Sequence, residues 1–202
     1  MKVLIACEES QTVCKAFRAR GHETYSCDIV PCRGGHPEWH IQDDVLKHLT
    51  ENWDLMIAHP PCTYLANSGV CHLYNKDRTK NQDRWEELQY ASLFFERLFN
   101  APIPKICIEN PIPHKYGNLP KYTQIIHPWQ FGHTEQKPTC LWLKNLPPLI
   151  GTKNVFAEMK MLPPNKRQRI HYLPPSPDRQ RIRSVTYQGI ADAMADQWGS
   201  LT

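Results

Sequence analysis

The chain lacks several features that define specialised classes of protein. No apolar run reaches the roughly 20 residues that a membrane-spanning helix needs, and Met1-Lys2 lead into a strand-like run without a signal-peptide pattern. None of the eight cysteines belongs to a Cys-x-x-Cys pair, which argues against a zinc finger and a disulfide framework. The net charge of +4 is too small to define a partner. We therefore expect a soluble, cytoplasmic protein with reduced thiols and no metal ion.

The amino-terminal half alternates short apolar runs with helical patterns, which is typical of βαβ units in an α/β fold with a mainly parallel sheet. With 202 residues, 41% of them apolar, the chain can form one substantial core, so we predict a single domain over residues 1–202. The predicted strands are residues 2–6, 23–27, 53–58 and 105–109. The predicted helices are residues 11–20, 84–99 and 187–198.

The carboxyl-terminal half is rich in proline, which predicts short strands, at residues 124–129 and 139–143, and no long helix before the last one. Residues 151–185 form a basic, proline-rich segment, and its part at 162–184 is predicted to be a loop that is mobile or ordered by a ligand. Between Glu158 and Arg183, seven lysine and arginine side chains stand against two acidic ones. This segment either follows a phosphate backbone or is an ordinary solvated loop.

Two motifs follow predicted strands and carry groups suited to catalysis. His59-Pro60-Pro61-Cys62 leaves the strand at 53–58, and the two prolines force a rigid turn that presents Cys62. Glu109-Asn110-Pro111 ends the strand at 105–109. Because ligands of open α/β sheets bind at the carboxyl ends of the strands, we expect Cys62 and Glu109 to converge there. A thiol beside a proton-handling carboxyl is a recognisable catalytic pair.

With a Pro-Pro-Cys loop and a Glu-Asn dipeptide, each following a strand, the chain resembles the cytosine carbon-5 DNA methyltransferases, and especially their compact phage-type members. The resemblance extends from Met1 to about Gly199 and is weakest between residues 151 and 183. It implies a Rossmann-like, S-adenosyl-L-methionine-dependent methyltransferase fold, with helices on both faces of the sheet. It also implies S-adenosyl-L-methionine as cofactor, duplex or single-stranded DNA as partner, and the host cytoplasm as location if a phage encodes the chain.

The resemblance assigns the catalytic roles to three residues. Cys62 is the nucleophile, which adds to carbon 6 of cytosine and so makes carbon 5 able to attack a methyl donor. Glu109 contacts ring N3 and the exocyclic amine. Asn110 braces the loop of Pro60, Pro61 and Cys62.

The resemblance also places the donor at the carboxyl end of the first strand, where the family carries a glycine-rich loop. Here residues 7–11 contain no glycine, although backbone amides of Ser10 or Gln11 at a helix start can hold a carboxylate. Asp28 matches the residue that binds a ribose, and Asp43 or Asp44 the one that contacts adenine. Strand-end solvation or helix capping is the alternative for all three aspartates. The candidate cofactor-binding residues are Cys7, Glu8, Ser10, Gln11, Asp28, Ile29, Asp44, Pro60 and Gln188.

Substrate contacts are expected in the Pro-Pro-Cys loop and in the basic carboxyl-terminal part of the chain. Lys137 lies where larger relatives carry an arginine-bearing motif that touches the target base. Residues 151–185 correspond to a vestigial target-recognition region if they are not simply a loop. The candidate substrate-binding residues are Pro61, Tyr64, Lys137, Arg179, Arg181 and Arg183.

Three alternatives to a DNA cytosine-5 methyltransferase stay open. In the first, the chain is a nucleic-acid-binding module of the same fold that has lost its activity. In the second, it is an enzyme that modifies carbon 5 of a pyrimidine in RNA or in nucleotides, or that uses a modified donor. A zinc-dependent protein would need ligands such as His59, Cys62, Cys71 and His72, whose spacing fits no familiar finger.

Overall fold

Seven strands form one mixed sheet in the computed structural model, which describes residues 1–201. The strands are β1 (Lys2–Ala6), β2 (Glu23–Asp28), β3 (His40–Gln42), β4 (Leu55–Ala58), β5 (Lys105–Pro111), β6 (Gln124–Ile126) and β7 (Thr139–Lys144). Their order in the sheet is β3-β2-β1-β4-β5-β7-β6. Strands β1 to β5 pair in parallel, whereas β7 runs antiparallel to both β5 and β6. The prediction of a Rossmann-like α/β fold with a mainly parallel sheet is confirmed.

Six helices accompany the sheet: α1 (Thr12–Arg18), α2 (Gln82–Phe99), α3 (Phe156–Met161), α4 (Pro164–Arg167), α5 (Arg179–Ser184) and α6 (Gln188–Gly199). Side chains of β1 alternate between the two faces of the sheet, as the pleat requires. Val3 and Ile5 join the core that contains α1 and α6, and Leu4 joins the core that contains Phe95 of α2. Helices therefore cover both faces, as predicted. No helix within residues 1–201 is long and apolar enough to cross a membrane.

Element boundaries differ from the predictions where local hydrogen bonds intervene. The strand predicted at 53–58 begins only at Leu55, because Trp53 turns into the core and its indole donates to the carbonyl of His48 (2.7 Å). The helix predicted at 84–99 begins at Gln82, where the Asn81 side chain caps it. The piece predicted at 124–129 is a strand only to Ile126, and residues 128–130 form a 3₁₀ turn.

The basic segment at residues 151–185 contains the three short helices α3, α4 and α5, separated by proline-containing turns. It is joined to residues 135–137 of the body by polar contacts. The amide of Gln136 donates to the carbonyl of Arg167 (2.6 Å), and the Arg169 guanidinium donates to Glu135 Oε1 (3.0 Å). The segment thus lies over the turn that precedes β7, close to the ends of the central strands.

Candidate active site

The Pro-Pro-Cys turn and the end of β5 are neighbours because β4 and β5 are adjacent parallel strands. Ala58 pairs with Ile108, so the residues that follow each of them share the carboxyl edge of the sheet. The Asn110 amide nitrogen donates to the carbonyl of Pro60 (2.9 Å), and the Asn110 side chain is buried. This bond ties the turn before Cys62 to the strand that carries Glu109.

Glu109 is held by a buried imidazole. His59 Nδ1 lies 2.9 Å from Glu109 Oε2, and the two side chains are only 9% and 12% exposed. Burial by itself raises the pKa of Glu109, but the hydrogen bond from His59 and the charge of Lys137 outweigh it, so this pKa lies below its ordinary value. Glu109 is therefore ionised at neutral pH in the free protein.

The thiol of Cys62 has the opposite tendency. Burial raises its pKa, and the negative charge of Glu109 raises it further, while the cations Lys137 and Arg183 act against both. The free protein thus keeps Cys62 protonated beside an ionised carboxylate. No hydrogen bond joins the two groups within residues 1–201, so they are coupled through charge in the free protein.

A small cavity of about 10 Å³, enough for about one water molecule, lies beside Glu109. Glu109 contributes to its wall, as do Lys137 and Tyr187, but Cys62 is not among its lining residues. Lys137 Nζ donates to the carbonyl of Arg183 (3.1 Å), and the Tyr187 hydroxyl donates to Glu135 Oε2 (2.9 Å). The basic segment and the start of α6 therefore close one side of the cavity. Its lining residues are Glu109, Lys137, Thr139, Thr186, Tyr187 and Ile190.

The chain just after Cys62 is braced by an arginine that the sequence analysis missed. Arg84, at the start of α2, donates from Nη2 to the carbonyl of Thr63 (3.0 Å), and its guanidinium lies 4.2 Å from the centre of the Tyr64 ring. Gly69 packs so closely on the Thr63 carbonyl that a Cβ there would clash. The only signal in the sequence was an arginine in the first turn of a helix, which is too common to indicate this contact.

The loop between β1 and α1 forms a tight turn without glycine. Cys7 (φ 59°) and Gln11 (φ 57°) adopt the left-handed conformation that glycine takes most easily. Such a conformation costs an L-residue about 1–2 kcal/mol, and hydrogen bonds compensate, since the Cys7 amide donates to the Cys27 carbonyl (2.7 Å). The loop thus contains two left-handed residues although it has no glycine.

Two side chains of this loop serve its own structure. The buried Glu8 carboxylate accepts from the amides of Val13 (2.7 Å) and Cys14 (3.2 Å), so it caps α1. The buried Gln11 amide bonds Ser26 Oγ (3.2 Å) and both backbone polar atoms of His36. The side chains of Glu8 and Gln11 are thus engaged within the protein. Gln11 is fully buried, so the prediction that it binds the cofactor directly is not supported by its exposure.

The end of β2 presents a carboxylate beside an exposed apolar surface. Asp28 accepts a hydrogen bond at Oδ1 from the amide of Val30 (3.1 Å), which shapes the turn. The next side chain, Ile29, is 73% exposed although it is a large aliphatic group. Asp28 and Ile29 thus lie at the carboxyl edge of the sheet, where ligands of open α/β sheets bind.

Other candidate donor residues lie further along the same edge. Ser10, in the β1–α1 loop, is partly buried, and its hydroxyl approaches Glu8 Oε1 (3.4 Å). Asp44 follows β3 and caps the next turn, where its Oδ1 accepts from the Leu46 amide (3.0 Å), as the capping alternative expects. Gln188 is exposed at the first turn of α6 and donates to Asp192 (3.1 Å).

The three arginines predicted to bind substrate have different surroundings. Arg179 donates to the carbonyl of Leu173 (2.8 Å), and Arg181 pairs with the exposed Asp178 (2.8 Å), so both support the local course of the basic segment. The charge of Arg183, in contrast, acts on Cys62. Pro61 is exposed at the tip of the turn.

Within residues 1–201 no three His, Cys, Asp or Glu side chains are grouped closely enough to hold a metal ion. His59, Cys62, Cys71 and His72 therefore do not form a ready zinc site among the described residues. Every cysteine is a free thiol.

No protein-family model and no curated protein matches the chain. Among solved structures it is similar to a candidate DNA modification methyltransferase encoded within a prophage (E. coli), with 14% identity, a TM-score of 0.44, and coverage of 71% of this chain and 46% of the other. It is also similar to the S. pombe Dnmt2 methyltransferase, with 14% identity, a TM-score of 0.41, and coverage of 88% and 61% respectively. The chain thus spans less than two thirds of the length of either structure.

Proposed function

We propose that this chain is an S-adenosyl-L-methionine-dependent methyltransferase that modifies carbon 5 of cytosine in DNA through a transient bond between Cys62 and carbon 6 of the base. One observation carries the proposal: Cys62 follows β4 and Glu109 lies in the adjacent parallel strand β5, the Asn110 side chain ties the two segments together, and the charge of Glu109 acts on the thiol. The Pro-Pro-Cys and Glu-Asn motifs of the sequence supply the chemistry that suits this pair.

The ionisation of the pair supports a definite course for the proton. The thiol begins protonated and the carboxylate ionised, because the pKa of Cys62 is raised and that of Glu109 lowered. Glu109 takes the thiol proton and passes it to ring N3 while the sulfur bonds to carbon 6, and this breaks the aromatic conjugation of cytosine. Carbon 5 then takes the methyl group and loses its own proton to solvent. The sulfur–carbon bond breaks, and the N3 proton returns through Glu109 to the thiolate.

The edge that binds the donor in this proposal runs from β1 to β3. When bound, S-adenosyl-L-methionine supplies an electrophilic methyl group. The backbone amide of Ser10 would bind its carboxylate, Asp28 its ribose, and Asp44 its adenine, with Ile29 as apolar support. The buried Gln11 would keep the loop in shape. The exposure of Ile29 beside Asp28 is the structural observation that favours a nucleoside there. Cys7, Glu8, Pro60 and Gln188 border this donor site.

In this proposal the extruded base binds against Glu109, since a cytosine inside a duplex hides carbons 5 and 6 in the stack. The cavity beside Glu109 is too small for a base in the free protein, so it must widen when DNA binds. Lys137 lines this cavity and supplies a cation near both Glu109 and the thiol. Pro61 and Tyr64 contact the nucleotide from the Pro-Pro-Cys loop. The basic side chains of residues 151–185 contact the phosphates of the DNA backbone in this proposal.

A cytosine analogue with fluorine at carbon 5 is expected to trap the enzyme, because the fluorine cannot leave as a proton does and the bond to Cys62 persists. We would incubate the protein with labelled donor and duplex DNA, single-stranded DNA, RNA or free nucleotides, each with and without the analogue. The expected result is methyl transfer to DNA and an adduct that peptide mapping assigns to Cys62.

The other outcomes of this experiment each overturn part of the proposal. An adduct at another cysteine reassigns the nucleophile, and transfer to RNA or nucleotides alone replaces DNA as the substrate. Binding of DNA without transfer to any substrate indicates a module that has lost its activity.

Joint replacement of Arg179, Arg181 and Arg183 by glutamine is expected to weaken DNA binding and to flatten its dependence on salt. Each lost phosphate contact lowers the slope of log K against log salt by about 0.9 for duplex DNA. The measurement is a salt titration of binding by fluorescence anisotropy, with Arg97→Gln, an exposed arginine on α2, as the matched control. An unchanged slope in the triple variant would identify residues 151–185 as a solvated loop.

A further inference from the structure

His59 is an imidazole buried at the meeting point of three strands. Its amide donates to the carbonyl of Ala6 (2.9 Å) at the end of β1, and its own position directly follows β4. Its Nδ1 reaches Glu109 in β5, 2.9 Å away. Because an ionised carboxylate can only accept hydrogen bonds, Nδ1 carries the proton and donates.

The same imidazole also acts on the loop between β1 and α1. Its charge lowers the pKa of Glu8, against a stronger rise from burial. Glu8 caps α1 with both carboxylate oxygens, so its position defines the start of that helix. The imidazole therefore contacts Glu109 directly, and its effect on Glu8 is electrostatic and acts over a longer distance.

A core position adjoining three strands ordinarily favours an apolar residue, because a buried polar atom without a partner is costly. His59 nevertheless retains a buried Nε2 that has no partner among residues 1–201. Packing alone does not account for a histidine here. The bond to Glu109 is the interaction that does.

We propose that His59 is a positioning residue, which holds one carboxylate oxygen of Glu109 so that the other faces the base. The inference rests on the function proposed above and deepens it. Without the imidazole, the Glu109 carboxylate is free to rotate towards Lys137, and only Lys137 and Thr139 oppose the effect of burial on its ionisation. The other titratable groups close to Glu109 are the thiols of Cys62, Cys107 and Cys140 and the phenol of Tyr187, which lines the same cavity.

The test compares His59→Asn, whose amide nitrogen can occupy the place of Nδ1, with His59→Leu and with His59→Gln, whose amide nitrogen reaches further. The first readout is independent of catalysis: the titration of the Glu109 carboxyl carbon by ¹³C NMR, with Glu109→Gln used to assign its signal. In His59→Leu the pKa of Glu109 is expected to rise, because burial then acts with less opposition.

The second readout is the rate at which the 5-fluorocytosine adduct forms in a single turnover. His59→Leu is expected to lose about 100-fold, which is typical when a reacting group is misplaced by about 1 Å, and His59→Asn to recover to within about tenfold of the wild type. If the leucine variant does not fold, the asparagine and glutamine variants still decide, with the asparagine variant expected to be faster. His22→Leu, at the opposite edge of the sheet, is the control.

An unchanged titration of Glu109 in His59→Leu, or equal rates in the asparagine and glutamine variants, would overturn the assignment. A wild-type protein that forms no adduct with any cytosine substrate refutes the proposed function instead. In that case the titration of Glu109 still decides whether His59 positions this carboxyl.

Discussion

Cys62→Ser is expected to abolish methyl transfer while donor binding stays within about twofold of the wild type. The reason is that the thiol acts on the base and not on the donor, and that a serine hydroxyl is far less acidic than a thiol. Removal of a nucleophile in a serine protease costs on the order of 10⁶ in turnover, and we expect a loss of at least about 10⁴ here. Transfer of label from the donor to DNA measures turnover, and calorimetric titration measures donor binding.

The matched control for this variant is Cys71→Ser, which removes an exposed thiol from the same stretch between β4 and α2. It should leave both measurements unchanged. Methyl transfer by Cys62→Ser at the wild-type rate would refute a covalent mechanism. A loss of donor binding in Cys62→Ser would instead place the thiol in the donor site.

Glu109→Gln is expected to lower methyl transfer by about 10² to 10⁴-fold, the usual contribution of a general acid or base. The amide keeps the shape of the carboxyl and can still accept the hydrogen bond from His59, but it cannot take the thiol proton and pass it to N3. The same change removes the negative charge that raises the pKa of Cys62. Alkylation of Cys62 by iodoacetamide at neutral pH should therefore become faster although catalysis becomes slower.

These opposite responses distinguish the proposed role from a general loss of structure, because an unfolded site would change the alkylation of every buried cysteine. Peptide mapping would follow Cys62 separately from the exposed Cys71. Glu86→Gln, an exposed carboxylate on α2, serves as the control. An alkylation rate at Cys62 that does not respond to Glu109→Gln would show that the two groups are not electrostatically coupled.

Local patterns were sufficient for most of the elements and for the prediction that Cys62 and Glu109 lie at the same edge of the sheet. The runs at 2–6 and 105–109 consist mainly of consecutive apolar residues, which is the sequence pattern of strands covered on both faces. The structure confirms that most of their side chains are buried. Strand β3 was missed because it is three residues long and none of its side chains is fully buried. Such a strand exists only because β2 offers it a partner.

The loop at residues 7–11 shows that the absence of glycine from a sequence does not exclude left-handed backbone conformations. The family resemblance predicts a glycine-rich loop at residues 7–11, and here Cys7 and Gln11 take the left-handed conformation instead. The compensating bonds come from Cys27 and from residue His36, which are distant in sequence. No local pattern contains that information.

The sequence by itself determined an α/β fold with strands that alternate with helices, and a cysteine presented by two prolines, because hydrophobic periodicity and proline geometry act over a few residues. Only the tertiary structure decided which groups surround that cysteine. His59 meets Glu109 across 50 residues, and Lys137 meets Arg183 across 46. Such contacts depend on the order of strands in the sheet, which follows from the packing of the whole chain and from no single segment of it.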